Sequence, residues 1–170
     1  MAGRFLRIVT ILGAATFFAA APAFAAPTQT ASVKATVVKP LVLTWVQDLS
    51  LGNILLKPGT WSGATVSISR TGNFSCTNPN TSCSGTVRAA SYRVVGSNNQ
   101  VVRISAPAVT LVNQSDSSKQ LTLAVDSPGT ITMPNSGQQG VVFSLGGSIN
   151  LSSATAEGVY AGTFNVTVDY

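Results

Sequence analysis

Residues 158–170 read Gly158-Val159-Tyr160-Ala161-Gly162-Thr163-Phe164-Asn165-Val166-Thr167-Val168-Asp169-Tyr170. Tyr160, Gly162, Phe164, Val166, Val168 and Tyr170 fall on one side of an extended chain, and Thr163, Asn165, Thr167 and Asp169 fall on the other. Successive side chains of a strand point to opposite faces, so the stretch predicts a strand with one apolar face, running from Val159 to Tyr170. The sequence ends on this strand, so its last residue is expected to be part of the fold.

The same period of two recurs upstream. Ala31, Val33, Ala35 and Val37 alternate with Thr30, Ser32, Lys34 and Thr36. Further strands are predicted at Leu41–Trp45, Leu49–Leu55, Ala64–Ser69, Thr86–Val95, Val101–Ser105, Ala108–Val112, Gln120–Val125 and Val141–Leu151. Between them lie turn clusters such as Lys57-Pro58-Gly59, Gly96-Ser97-Asn98-Asn99, Asn113-Gln114-Ser115-Asp116, Ser127-Pro128-Gly129 and Pro134-Asn135-Ser136-Gly137. After the leader, no segment repeats apolar residues at helical spacing beyond two turns. Many short strands at roughly ten-residue spacing in one domain predict an all-β chain folded as an immunoglobulin-like β-sandwich.

At the other end, Arg4 and Arg7 precede an apolar run from Ile8 to Ala21, followed by Pro22 and Ala23-Phe24-Ala25. This is the pattern of a secretory signal peptide over residues 1–25 with a small-x-small cleavage site. The run is shorter than the roughly 20 apolar residues a membrane-spanning helix needs, and no later segment competes with it. Removing 25 of 170 residues leaves 145, a domain able to bury a core without metals. Pro40 then interrupts what would otherwise be one strand from Ala31 to Trp45, because proline gives no N–H to a ladder. Residues 26–38 therefore read as a separable extension and 39–170 as the sandwich. Extended, the stretch from Ala26 to Val37 reaches roughly 40 Å.

Without the leader, eight Lys and Arg face five Asp and Glu, a net charge of +3. The basic residues are scattered singly, with no cluster to follow a phosphate backbone, which argues against nucleic acid as a partner. Only 9% of residues are charged, against about 25% in ordinary domains. Ser, Thr, Asn and Gln fill the polar faces instead, and such a surface packs against a neighbour without stripping water from many ions.

Chemistry is scarce. There is no histidine, which removes the commonest general base and metal ligand together. Asp48, Asp116, Asp126, Glu157 and Asp169 sit singly in turns or near strand ends, and no Gly-x-Ser-x-Gly elbow presents a nucleophile. The expectation is a non-enzymatic protein with no cofactor. Cys76 and Cys83 are the only cysteines; in an exported chain they predict a disulfide across the turn Asn78-Pro79-Asn80, and two thiols without histidine do not complete a zinc shell. Trp45 follows an apolar run and is expected in the core. Trp61, among Gly59, Thr60, Ser62 and Gly63, is either an exposed ring that stacks on a sugar or a cover for one end of the sandwich.

The ending Gly158–Tyr170 resembles the terminal strand of chaperone-usher-type pilus subunits, including the spore-coat-protein-U-like archaic branch, where a glycine, alternating apolar residues and a terminal or penultimate tyrosine recur. The chain after the leader is also similar to an uncharacterised family of exported proteobacterial domains, through Asp48-Leu49-Ser50-Leu51-Gly52, Ala90-Ser91-Tyr92-Arg93-Val94-Val95-Gly96, Gly146-Gly147-Ser148-Ile149-Asn150-Leu151 and Gly158–Tyr170. Leu51 departs from the aromatic residue expected before Gly52. The pilus resemblance implies a sandwich lacking one strand, with an apolar acceptor groove beside the C-terminal strand (Tyr160, Gly162, Phe164, Val166, Val168, Tyr170) and a donor strand (Ala31, Val33, Ala35, Val37) supplied by the next subunit. It implies a head-to-tail homopolymer, export through the periplasm of a Gram-negative-type envelope to the cell surface or beyond, and a periplasmic chaperone and outer-membrane usher as helpers. Two other readings stand beside it. The leading segment is the first strand of its own sandwich, or the protein is a monomeric secreted adhesive or glycan-binding module that uses Trp61.

Overall fold

A computed structural model describes residues 28–135 and 139–170. The leader reading, over residues 1–25, lies outside the described residues, as do Ala26 and Pro27 of the extension. The chain divides into two units, residues 1–35 and 36–170. In the first, residues 28–35 form no strand and are exposed. Among the described residues the second holds thirteen strands: β1 (Val42–Gln47), β2 (Ser50–Leu56), β3 (Ala64–Ile68), β4 (Phe74–Ser75), β5 (Thr81–Arg88), β6 (Ala90–Val95), β7 (Val101–Ser105), β8 (Val109–Asn113), β9 (Gln120–Asp126), β10 (Thr130–Thr132), β11 (Val141–Leu151), β12 (Tyr160–Ala161) and β13 (Thr167–Asp169). The protein is an all-β sandwich, as its period-two pattern predicts, and every ladder between its strands is antiparallel.

The largest sheet runs β1-β6-β11-β9-β8-β12, with β3 also paired to β11; two smaller sheets run β10-β7-β13 and β2-β5. Strand β11 organises both halves. Its first residues, Val141–Leu145, pair with β6, and Gly147–Leu151 pair with β3. The change of partner falls at Gly146, where a Cβ would stand 2.6 Å from the backbone nitrogen of Arg70, so no side chain fits as the β3 end passes.

Two cores result. In the upper one, Ala90, Val94, Phe143 and Leu145 from β6 and β11 pack against Val102 and Ile104 of β7 and the neighbouring Met133, all buried. In the lower one, Ala64, Val66, Leu123, Ile149 and Leu151 are covered by Leu51, Ile54 and Leu56 of β2 and by Cys83 of β5. Burying each such side chain is worth roughly 1.5–3 kcal/mol, which gives the alternating sequence its fold.

Three expectations need correction. The predicted strand Thr86–Val95 is two strands in different sheets, β5 with β2 and β6 with β1 and β11. The predicted strand Val159–Tyr170 is not continuous. Tyr160–Ala161 pairs with β8 and Thr167–Asp169 with β7, because the chain crosses from one sheet to the other and loses ladder partners between them. Its alternation survives in part: Tyr160, Phe164, Val166 and Val168 are half-buried while Thr163, Asn165, Thr167 and Asp169 are exposed, but Gly162 and Tyr170 of the apolar side are exposed too. Finally, the alternating residues 30–37 form no strand, since regular pairing requires a neighbour.

Candidate functional site

The C-terminal residues and the segment leading into β1 meet at an open cleft of about 480 Å³, lined by Val38, Lys39, Pro40, Leu41, Val168, Asp169 and Tyr170. Sequence and backbone chemistry set both walls. Pro40 has no N–H to donate, so the chain ahead of β1 lies along the wall without a full ladder. On the opposite wall, β13 pairs with β7 on one side, Val168 facing Ile104, and with no strand on its other side among the described residues.

Tyr170 fixes the distance between the walls. Its hydroxyl donates to the Lys39 carbonyl at 2.6 Å and accepts the Ser97 N–H at 2.7 Å. Lys39 N–H donates in turn to Ser97 Oγ at 2.6 Å. The turn that carries Ser97 comes this close because residue 96 is glycine: a Cβ there would stand 2.6 Å from both the Tyr170 hydroxyl oxygen and Leu41 Cδ2. Sequence reasoning found Tyr170 but missed Lys39, Gly96 and Ser97. The signals were present as a break at Pro40 and a turn cluster at 96–99, yet nothing local joins residues 131 positions apart.

The other acceptor-face residues are spread along the crossing. Phe164 packs against both cores, Val166 and Val168 against the upper one, and Tyr160 and Gly162 lie towards β8. Tyr160 donates its hydroxyl to the Ala156 carbonyl at 2.9 Å. Of the donor-face residues, Ala31, Val33 and Ala35 belong to the first unit and are exposed, Val33 at 94%. Val37 belongs to the second unit, is also 94% exposed, and adjoins Val38 on the cleft wall.

Of the two tryptophans, Trp45 does not take the core position expected of it. Trp45 is 58% exposed, with its indole N–H donated to Asp48 Oδ1 at 3.0 Å. It fails to enter the core because β1 is the edge of its sheet. Trp61 is half-buried against the lower core; its indole N–H donates to the Lys57 carbonyl at 3.0 Å, and its backbone carbonyl accepts the Ser153 N–H. Of its two open readings, the geometry matches a cover for the end of the sandwich.

Cys76 and Cys83 form the predicted disulfide. Its loop is held by Asn78, whose side-chain oxygen accepts the Asn80 N–H at 2.9 Å in an Asx turn. Three of the acids have structural work. Asp48 holds Trp45, Asp126 pairs with Arg70 at 2.7 Å, and Asp116 accepts from the Ser118 hydroxyl and N–H, which hold its carboxyl below the usual carboxylate range. Beside Trp45, burial pushes the Tyr92 phenol up, and the Asp48 charge adds to the rise. Among the described residues no group of three or more Cys, Asp or Glu is arranged to hold a metal, and no helix is long and apolar enough to cross a membrane.

Residues 41–170 match the family described as a domain of unknown function (DUF4402), and the chain belongs to that family. No curated protein matches it, and no solved structure does. The matched span begins at Leu41, directly after Pro40, so the extension and the cleft residues Val38, Lys39 and Pro40 fall ahead of the family's domain.

Proposed function

We propose that this member of the family is a non-enzymatic structural subunit of an extracellular fibre, exported through the periplasm and polymerised by donation of one molecule's residues 26–38 to the groove of the next. One observation carries the reading. Among the described residues β13 is laddered on a single edge, beside an open cleft that Val168 lines, and Phe164 and Val166 ahead of it are only half-buried, while the chain's own leading segment exposes apolar residues at alternate positions. Strand addition supplies what such an edge lacks: main-chain hydrogen bonds give affinity and alternate side chains fill the groove. Left open, the same edge is an aggregation hazard, so a periplasmic chaperone and an outer-membrane usher are the partners the reading calls for. Head-to-tail contacts that do not close on themselves give a fibre.

The test is made on Val33 and Val37. Both are 94% exposed, so Val33→Asp/Val37→Asp leaves the fold of the single molecule intact. The expected result is normal export with loss of the boiling-resistant ladders on a denaturing gel that slowly dissociating donated strands produce; deleting residues 26–37 has the same result. Fibres of unchanged length and stability in both variants would remove the idea.

A further inference from the structure

Three aromatic residues stand in a row across three strands. Phe143 of β11 is paired with Tyr92 of β6, and Tyr92 with Trp45 of β1. The rings of Phe143 and Tyr92 stack with centroids 5.8 Å apart, and Phe143 is 6% exposed in the upper core. Register therefore places Trp45 on the core side of its sheet. Yet it is 58% exposed, because β1 has no strand beyond it among the described residues. Two residues earlier on the same side Leu43 is half-buried against the upper core, and two before that Leu41 lines the cleft with Val168. The apolar lip of the groove thus continues from Leu41 through Leu43 to Trp45.

The indole is also held in advance. Its N–H bond to Asp48 Oδ1 restricts the ring before any partner arrives, which lowers the entropy lost on binding. A large, oriented and half-uncovered tryptophan is the side chain that most often dominates an interface.

We infer that Trp45 is the anchor that closes over the incoming segment of a second copy of this chain. The occupant follows from what the chain itself displays: residues 28–38 expose apolar Ala31, Val33, Ala35 and Val37 at alternate positions and bear Lys34 but no acid, whereas Asp48 stands at Trp45 and the cleft walls carry Asp169 and Lys39. This rests on the proposed function and adds the residue that reports on, and strengthens, the contact.

Trp61→Phe leaves Trp45 as the sole tryptophan, so its emission and its quenching by acrylamide are compared in single molecules and in assembled material of the full chain. On assembly the emission shifts to the blue and quenching drops. Trp45→Ala weakens association about 30-fold, whereas Trp45→Phe retains most of it. Should Trp61→Phe disturb the lower core, wild-type protein with Trp45→Phe as the subtraction gives the same measurement. Assembled protein whose Trp45 is quenched as freely as in the single molecule, or a Trp45→Ala variant that assembles like wild type, overturns the anchor and leaves polymerisation standing. Wild-type protein that never assembles overturns the proposed function and the anchor together.

Discussion

Trp61 and Trp45 make the same local bond and have opposite fates. Each gives its indole N–H to an oxygen three or four residues away, yet Trp61 lies half-buried on the lower core and Trp45 stands 58% exposed at the margin of the upper one. The contrast extends to the halves they mark. The lower core is closed by its own chain: the β2-β5 sheet lies over it, the Cys76–Cys83 bridge ties β5 to the residues after β4, and Ser153 clamps the Trp61 backbone. The upper core is fully buried at its centre, with Val94, Val102 and Leu145 at 0% exposure, but its rim is left to two edges, β1 and the three residues of β13. Burial at the centre supplies stability, and in the proposed function the uncovered rim is where another chain docks. The closed lower half and the open rim lie at opposite ends of β11.

That division can be attacked from its closed side first. Replacing Cys76 and Cys83 together by serine frees an eight-residue loop in the unfolded chain and lowers stability by about 2.5 kcal/mol in the chain-entropy model. The measurement is the denaturant midpoint, and the expectation is a clear drop with polymer formation unchanged. Folded variant protein that no longer assembles would mean that the lower half also shapes the groove.

A smaller change sharpens the open side. Tyr170→Phe removes the hydroxyl that joins Lys39 and Ser97, for a loss of about 1 kcal/mol. Hydrogen exchange at the Ser97 amide should quicken markedly, while amides of β3 and β9 stay protected. Unchanged exchange at Ser97 would show that the walls of the cleft are held by something other than Tyr170.

The smallest effect is alkaline and belongs to Tyr92. Burial, with the Asp48 charge behind it, raises its phenol above the ordinary value of 10.0. A raised folded value favours the protonated folded state, so the contribution is complete below about pH 10, where both states hold the proton, and fades as pH climbs through the folded value. Spectrophotometric titration should find a tyrosine ionising above the ordinary value, and later still in assembled material if Trp45 and its neighbour become covered. A titration identical in single molecules and fibres would place Tyr92 away from the contact.

Several elements were legible without coordinates. Val101–Ser105 and Val141–Leu151 are strands with the bounds that alternation and turn residues predict, the two cysteines pair, and the apolar side of residues 160–168 is the side that faces inward. The short strands Phe74–Ser75 and Thr130–Thr132 escaped notice because two or three residues are too few to display a period. Thr86–Val95 looked like one strand since nothing local announces that the chain leaves one sheet for another at Ala89.

By itself, then, the sequence determined the class of fold, the inward side of Phe164, Val166 and Val168 and the bond between its cysteines, because a two-residue period and a short loop are local properties of the chain. Only the tertiary structure decided which strands became edges, and with them the exposure of Trp45 and the cleft that Tyr170 spans. Whether an apolar side chain is covered depends on what lies across the sheet, and at the rim the partners come from residues 39, 97 and 170. No window short enough to show periodicity contains all three.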